Sequence, residues 1–141
     1  MNLSPHFNLA EFTHSDYALE HGIDNTPPAA IISNLKLMAA TMEEVRGLFG
    51  QPIIPSSGYR CLAVNAGVLG DKQSAHLEGL ACDFTIPGIS NKEAALRIAA
   101  SNIDFDQLIL EYGWIHLGLR INRRQLLTKR GKYAPYLAGI V

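Results

Sequence analysis

Three side chains in this sequence are suited to binding a metal ion: those of His76, Asp83 and His116. His76 lies at the end of a polar loop, whereas Asp83 and His116 each interrupt an apolar segment. An ionised carboxylate among apolar neighbours is costly unless it meets a cation or several hydrogen-bond donors. Two imidazoles and one carboxylate suit Zn²⁺ and leave a fourth position for water. The spacing alone leaves the alternative open that each residue is a hydrogen-bonded part of the core.

The strands predicted around these residues would bring them to one place. Asp83 falls within a predicted strand over residues 80–86, and His116 falls within one over residues 114–121. A similar alternating apolar run over residues 107–112 indicates an antiparallel neighbour for the second strand. Two further short strands are predicted over residues 52–57 and 125–128.

Helices are predicted to pack with these strands, which together indicate an α+β domain. The longest covers residues 27–49, where apolar residues recur every three or four positions. Thr26 can cap its start, Pro27 suits its first turn, and Gly50 ends it. Shorter helical segments are predicted over residues 61–67 and 90–102, and residues 1–26 are expected to be irregular and packed on the main body.

Length and composition exclude several classes of protein. The chain has 141 residues, 48% hydrophobic and 18% charged, which indicates one globular domain. Its net charge of −1 gives no electrostatic reason to expect nucleic acid as a partner. The basic cluster over residues 120–132 is expected to be a solvated hairpin face, although it could contact an anionic polymer. No apolar run is long enough to span a membrane and no secretory signal is visible, so we expect a protein made in the cytoplasm. We also expect a monomer.

The motifs around the three candidate ligands resemble those of a known family. Residues 74–84 have the pattern Ser-x-His-x-x-Gly-x-Ala-x-Asp-Phe, preceded by Ser-Gly-Tyr-Arg at residues 57–60 and Asn65, and followed by Trp-x-His at residues 114–116. The combination resembles the zinc D-alanyl-D-alanine carboxypeptidase family, which shares its fold with the Hedgehog signalling domain. The resemblance runs from about Leu3 to about Leu119. The N-terminal half looks like the short phage and prophage endolysin branch.

The resemblance implies a Hedgehog/DD-peptidase-like fold, in which a small antiparallel sheet packs with helices, and a single zinc peptidase domain over residues 1–141. It also implies that His76, Asp83 and His116 bind zinc. Arg60 matches an arginine that binds the terminal carboxylate of the substrate, a task that suits the guanidinium fork. Ser74 matches a serine that hydrogen-bonds substrate near the metal. Trp114 is a candidate wall of the site, with a core position as the alternative.

The catalytic base is where the sequence departs from the family. Many members carry a glutamate three residues before the last zinc histidine, and that position is Gly113 here. Glu111 is the nearest replacement, and its carboxylate could accept a proton from water and return it to the leaving amine. Other candidates are Asp104, Asp106 and Glu78.

The activity implied by the resemblance is hydrolysis of peptidoglycan stem peptides with water activated by zinc. The bond is either D-Ala-D-Ala, as in a carboxypeptidase, or an L-Ala-D-Glu type link, as in an endopeptidase. The enzyme would act on the cell wall after release, which would be holin-dependent or virion-associated. Two alternatives remain: a wall-binding module that has lost turnover, which the Gly113 departure motivates, and a structural part of a phage particle.

Overall fold

The computed structural model describes all 141 residues and has an α+β fold, as predicted. Its five α-helices are α1 (Leu9–Thr13), α2 (Asp16–His21), α3 (Ala29–Phe49), α4 (Leu62–Gly67) and α5 (Asn91–Ala99). Its six strands are β1 (Ile54–Ser57), β2 (Ala81–Thr85), β3 (Gln107–Leu110), β4 (Ile115–Gly118), β5 (Gln125–Thr128) and β6 (Leu137–Ala138). A 3-10 turn over Ala75–Glu78 precedes β2.

The six strands form one sheet in the order β1-β2-β4-β3-β5-β6. All neighbours are antiparallel except β3 and β5, which run parallel. The predicted strand over residues 125–128 is confirmed, and the two-residue strand β6 was not predicted. This order puts β2 and β4, which carry two of the candidate ligands, side by side within the sheet.

Helix α3 supplies much of the core. Leu35, Met38, Met42 and Val45 recur every three or four residues and are fully buried, because that spacing puts them on one face of the helix. Gly50 ends the helix in the left-handed conformation, as predicted. The predicted start at residue 27 with Thr26 as cap was wrong: Pro28 occupies the N-cap position with no side-chain cap, and the helix begins at Ala29.

The N-terminal segment is not irregular, which corrects the prediction for residues 1–26. Asn8 forms a capping box at the start of α1, and Ser15 caps α2. Helices this short show no apolar periodicity, so capping residues were their only sequence signal. Phe12 of α1 is fully buried, and its carbonyl oxygen accepts a hydrogen bond from the backbone N–H of Tyr59. The segment therefore holds the loop that follows β1.

The remaining helices agree with the predictions apart from their ends. Helix α5 begins after Ser90, whose hydroxyl oxygen accepts a hydrogen bond from the backbone N–H of Glu93. It ends at Ala99, earlier than the predicted residue 102. No helix in the structure has the length and apolar character needed to span a membrane.

Candidate metal centre

The three predicted ligands converge at one point. Asp83 on β2 and His116 on β4 are direct partners in the antiparallel register, so their side chains lie next to each other on one face of the sheet. His76 reaches the same point from the 3-10 turn before β2. The three ligand atoms all lie within 4.8 Å of one another, and all three residues are buried. The sequence prediction that these side chains meet is therefore confirmed.

A backbone carbonyl fixes the orientation of His76. Its Nδ1 lies 2.6 Å from the carbonyl oxygen of Gly58, so Nδ1 carries the proton and donates it there. This leaves a lone pair on Nε2, which points into the cluster, as at many metal-bound histidines. The loop that carries this carbonyl is fixed by the hydrogen bond from the backbone N–H of Tyr59 to the carbonyl oxygen of Phe12, and the backbones are so close there that a Cβ atom at Gly58 would collide with that oxygen. No sequence motif predicted this contact, although Gly58 belongs to the Ser-Gly-Tyr-Arg motif.

The donor set fits a tetrahedral zinc ion. Nε2 of His76 is fully buried without a hydrogen-bond partner and lies 3.2 Å from Oδ1 of Asp83. Both atoms are acceptors, and a cation between them removes their repulsion. Nδ1 of His116 lies 2.9 Å from the same oxygen. Two ligands about 2.0–2.1 Å from a tetrahedral ion are roughly 3.3 Å apart, which matches the first separation. The second separation is that of a hydrogen bond between His116 and Asp83, and all three ligand atoms lie within 4.8 Å of one another.

The protonation equilibria of the cluster also favour a cation. Burial lowers the pKa of His76, so the ring is neutral and able to act as a ligand. Burial acts to raise the pKa of Asp83, but positive charge on His76 and the hydrogen bond and charge of His116 outweigh it, so the net pKa is lowered; a cation between these groups acts in the same direction when both imidazoles are neutral. The cluster therefore offers an ionised carboxylate beside a neutral imidazole, which is the protonation state that zinc binding requires.

The metal-ligand cluster lies at an open cleft of about 880 Å³, and Arg60 lines this cleft. Its guanidinium forms no ion pair, and its Nε is buried without a hydrogen-bond partner. Burial lowers the pKa of Arg60, and the charges of Asp83 and Glu111 oppose that shift. A half-buried guanidinium with no anionic partner is a suitable site for a carboxylate ligand.

Glu111 lines the same cleft and lies just beyond β3, on the sheet face that carries His116. Burial raises the pKa of its carboxyl group, which suits a group that accepts and returns a proton near neutral pH. Gly113 lies in the turn between β3 and β4 with φ of 145°, a conformation that L-residues rarely adopt. A glutamate there would be strained, which gives a physical reason for the departure from the family pattern.

The other acidic candidates are less suited to the role of base. Asp106 is buried and accepts two hydrogen bonds from the guanidinium of Arg123, so its carboxylate is already neutralised. Glu78 pairs with Arg120 at 2.8 Å and does not line the cleft. Asp104 is exposed and also lies outside the cleft. The structure therefore favours Glu111 among the four, and its role stays a prediction.

Ser74 and Trp114 both line the cleft. The hydroxyl oxygen of Ser74 accepts a hydrogen bond from the backbone N–H of His76 and caps the 3-10 turn. This structural role is enough to account for a serine at this position, with or without a role in substrate binding. The indole Nε1 of Trp114 is buried, and its ring contacts that of Tyr112 edge to face. The Trp114 side chain acts by hydrogen bonding to lower the pKa of Glu111, so its indole N–H is directed at that carboxyl group. Both substrate-binding roles stay predictions.

The prediction of a solvated hairpin face over residues 120–132 was incomplete. Arg120 and Arg123 form ion pairs, whereas Lys129 and Lys132 line the cleft without one. The parallel pairing of β5 with β3 puts them there, and such non-local pairing has no local sequence signal. Tyr136, just before β6, was missed for the same reason.

An α+β fold with a buried His-Asp-His cluster beside an open cleft defines a candidate metal-binding hydrolase. The chain belongs to the Peptidase M15 family, which matches residues 5–118. The predicted resemblance to the zinc D-alanyl-D-alanine carboxypeptidases is thus confirmed, whereas the phage branch stays a prediction. A search among curated proteins gives no match.

Proposed function

We propose that this protein is a zinc-dependent peptidase that hydrolyses peptidoglycan stem peptides. Membership of the Peptidase M15 family supports peptidase activity. The observation that best supports zinc is the buried Nε2 of His76, which has no hydrogen-bond partner and faces the carboxylate of Asp83. His116 completes the set of three protein ligands. A bound Zn²⁺ supplies an acidic water and a Lewis acid for the peptide carbonyl.

The other cleft residues have distinct tasks in this proposal. Arg60 binds a carboxylate of the peptide and so orients the scissile bond over the cluster. Glu111 takes a proton from the attacking water onto a carboxylate oxygen and delivers it to the leaving nitrogen. The hydroxyl of Ser74 donates a hydrogen bond to a backbone carbonyl of the peptide, and the ring of Trp114 forms part of the wall against which the peptide binds.

The unpaired guanidinium of Arg60 favours a substrate that ends in a free carboxylate. A D-Ala-D-Ala terminus meets this requirement directly, so we propose carboxypeptidase activity before cleavage of an L-Ala-D-Glu type link. Mass spectrometry of synthetic stem peptides after incubation distinguishes the two, because the first releases a single D-Ala and the second separates L-Ala from the rest.

The main experiment measures new amino groups released from purified peptidoglycan by the zinc-loaded protein. We expect release that a chelator abolishes and that added zinc restores. If neither peptidoglycan nor synthetic stem peptides are cut by protein shown to contain zinc, the peptidase proposal is wrong.

A wall-binding module without turnover is the second candidate, and Gly113 is the observation that favours it. With no glutamate at that position, catalysis depends on Glu111 serving in its place. Protein that pelleted with peptidoglycan but released no amino groups, with zinc bound, would support this alternative.

A further inference from the structure

The segment after the family match forms one wall of the cleft. The match ends at residue 118, and residues 119–141 form β5 and β6, which extend the sheet beyond β3. From this segment Gln125, Leu127, Lys129, Lys132 and Tyr136 line the cleft that contains the metal cluster. This wall therefore lies outside the residues that match the family.

The sheet order puts Arg60 and Lys129 on opposite sides of the metal cluster. Arg60 follows β1, the ligands Asp83 and His116 lie on β2 and β4, and Lys129 follows β5. The pairs Asp83–His116, His116–Ile109 and Ile109–Leu127 are in direct register, so Lys129, two residues after Leu127, lies on the same face. A peptide that lies across this face can contact Arg60 at one end and Lys129 at the other.

Lys129 is held in position and forms no ion pair, although it lies next to Glu111 across the β3–β5 pairing and its charge acts to lower the pKa of that carboxyl group. Its Nζ lies 4.8 Å from the centroid of the Tyr136 ring, and Tyr136 stands opposite it in the β5–β6 pairing. Lys132 also lines the cleft without an ion pair, whereas Arg120 and Arg123 are paired with acidic residues. Two free ammonium groups on one wall of a substrate cleft favour an anionic group of the ligand.

We propose that Lys129 and Lys132 form a second anion-binding subsite, which holds a carboxylate within the peptide while Arg60 holds the terminal one. Strands lie about 4.8 Å apart and residues rise about 3.3 Å, so Lys129, two strands across and two residues along from His116, is about 12 Å away, which an extended peptide spans in about three to four residues. The preferred ligand is thus a peptide with a free carboxylate on the third residue before the scissile bond. That the ligand is a peptide rests on the proposed function.

The test compares two pentapeptides that differ in one charge. L-Ala-γ-D-Glu-L-Lys-D-Ala-D-Ala carries the internal carboxylate, and its D-isoglutamine analogue carries an amide there. Binding is measured by calorimetry on the full chain with chelator present, and hydrolysis is measured on the zinc-loaded protein. Variants are Lys129→Gln, Lys129→Gln with Lys132→Gln, and the control Arg130→Gln, which changes a neighbouring exposed cation outside the cleft.

We expect the wild-type protein and Arg130→Gln to bind the acidic peptide about fivefold more tightly than the amide, the effect of one partly exposed ion pair. Lys129→Gln should lose most of this preference and the double variant all of it, with binding of the amide unchanged. The subsite is wrong if wild type binds both peptides equally or binds neither. It is also wrong if the double variant keeps the preference for the acidic peptide. If wild type prefers the acidic peptide but hydrolyses neither peptide, only the proposed function is contradicted. If wild type hydrolyses the peptides without this preference in binding, only the subsite is contradicted.

Discussion

At the scale of single residues, chemistry depends on which polar atoms have partners and which do not. The Nδ1 atom of His76 is bonded to a carbonyl, whereas its Nε2 faces Asp83 unpaired. The guanidinium of Arg60 lacks an acid, whereas that of Arg123 has one. In each pair the satisfied group stabilises the structure, and the unsatisfied group is available to a metal ion or a substrate.

Glu111 is the residue on which turnover depends in this account. Glu111→Gln keeps the size of the side chain but removes its ability to accept a proton, so we expect kcat to fall about 10²- to 10⁴-fold with zinc content unchanged. The matched control is Glu78→Gln, because Glu78 lies outside the cleft and pairs with Arg120. Full activity in Glu111→Gln would assign the base elsewhere.

At the scale of elements, the centre depends on contacts between segments distant in sequence. Helix α1 packs on the loop after β1, that loop presents the Gly58 carbonyl, and the carbonyl orients His76. Helix α1 thus helps to position His76, although it supplies none of the three candidate ligands.

Gly58→Ala tests this chain of contacts. The new methyl group meets the backbone of Phe12, so we expect a stability loss of about 1–3 kcal/mol from overpacking. Zinc affinity should fall about 10- to 100-fold, because the carbonyl that orients His76 moves. Chemical denaturation and zinc titration measure the two effects. The control is Gly47→Ala, where the added methyl meets nothing and should leave zinc affinity unchanged. If Gly58→Ala bound zinc as tightly as wild type, the role of the Gly58 carbonyl would be contradicted.

The ion pair of Asp106 with Arg123 joins the start of β3 to the loop before β5. Burial acts to raise the pKa of Asp106, but the bonds from Arg123 outweigh it and the net pKa lies below the usual value. The folded state therefore binds this proton less readily than the unfolded state. The stabilisation is complete above the unfolded pKa and is lost as the pH falls through the lower folded one.

We accordingly expect Asp106→Asn to melt at a lower temperature than wild type at pH 7. The difference should stay constant down to about pH 5 and shrink as the pH falls below about 4, the ordinary pKa of an aspartate. Thermal melts of both proteins across this range measure it. A difference that grows on acidification would mean that the pKa of Asp106 is raised instead.

The sequence predicted which three side chains meet, because each is a polar residue in a distinctive local motif and the motifs together resemble those of a known family; their spacing alone left a hydrogen-bonded core as the alternative. It also predicted α3, because a helix of 21 residues has room for a periodic apolar face. It missed α1 and α2, which are too short for periodicity. It also missed the positions of Lys129 and Tyr136, because these depend on a parallel pairing between distant segments. Backbone acceptors such as the Gly58 carbonyl have no side-chain signature at all.

At the scale of the whole molecule, the proposed zinc site would couple metal binding to folding. We expect zinc to bind the folded cluster and not the dispersed ligands, which would stabilise the protein by mass action. At a free zinc concentration about a thousandfold above Kd this amounts to about 4 kcal/mol, which raises Tm by about 10 °C for a chain of this size. Scanning calorimetry with zinc or with chelator measures the shift. An unchanged Tm would indicate that the cluster does not bind zinc.

The most direct test of the account is the zinc content of the purified, zinc-reconstituted protein after removal of free metal. We predict one zinc ion per wild-type chain, loss of that ion in His116→Ala, and retention in the control His21→Ala, which changes an exposed histidine outside the cleft. Wild-type protein without zinc, or His116→Ala protein that keeps a full equivalent, would contradict the proposed ligand set.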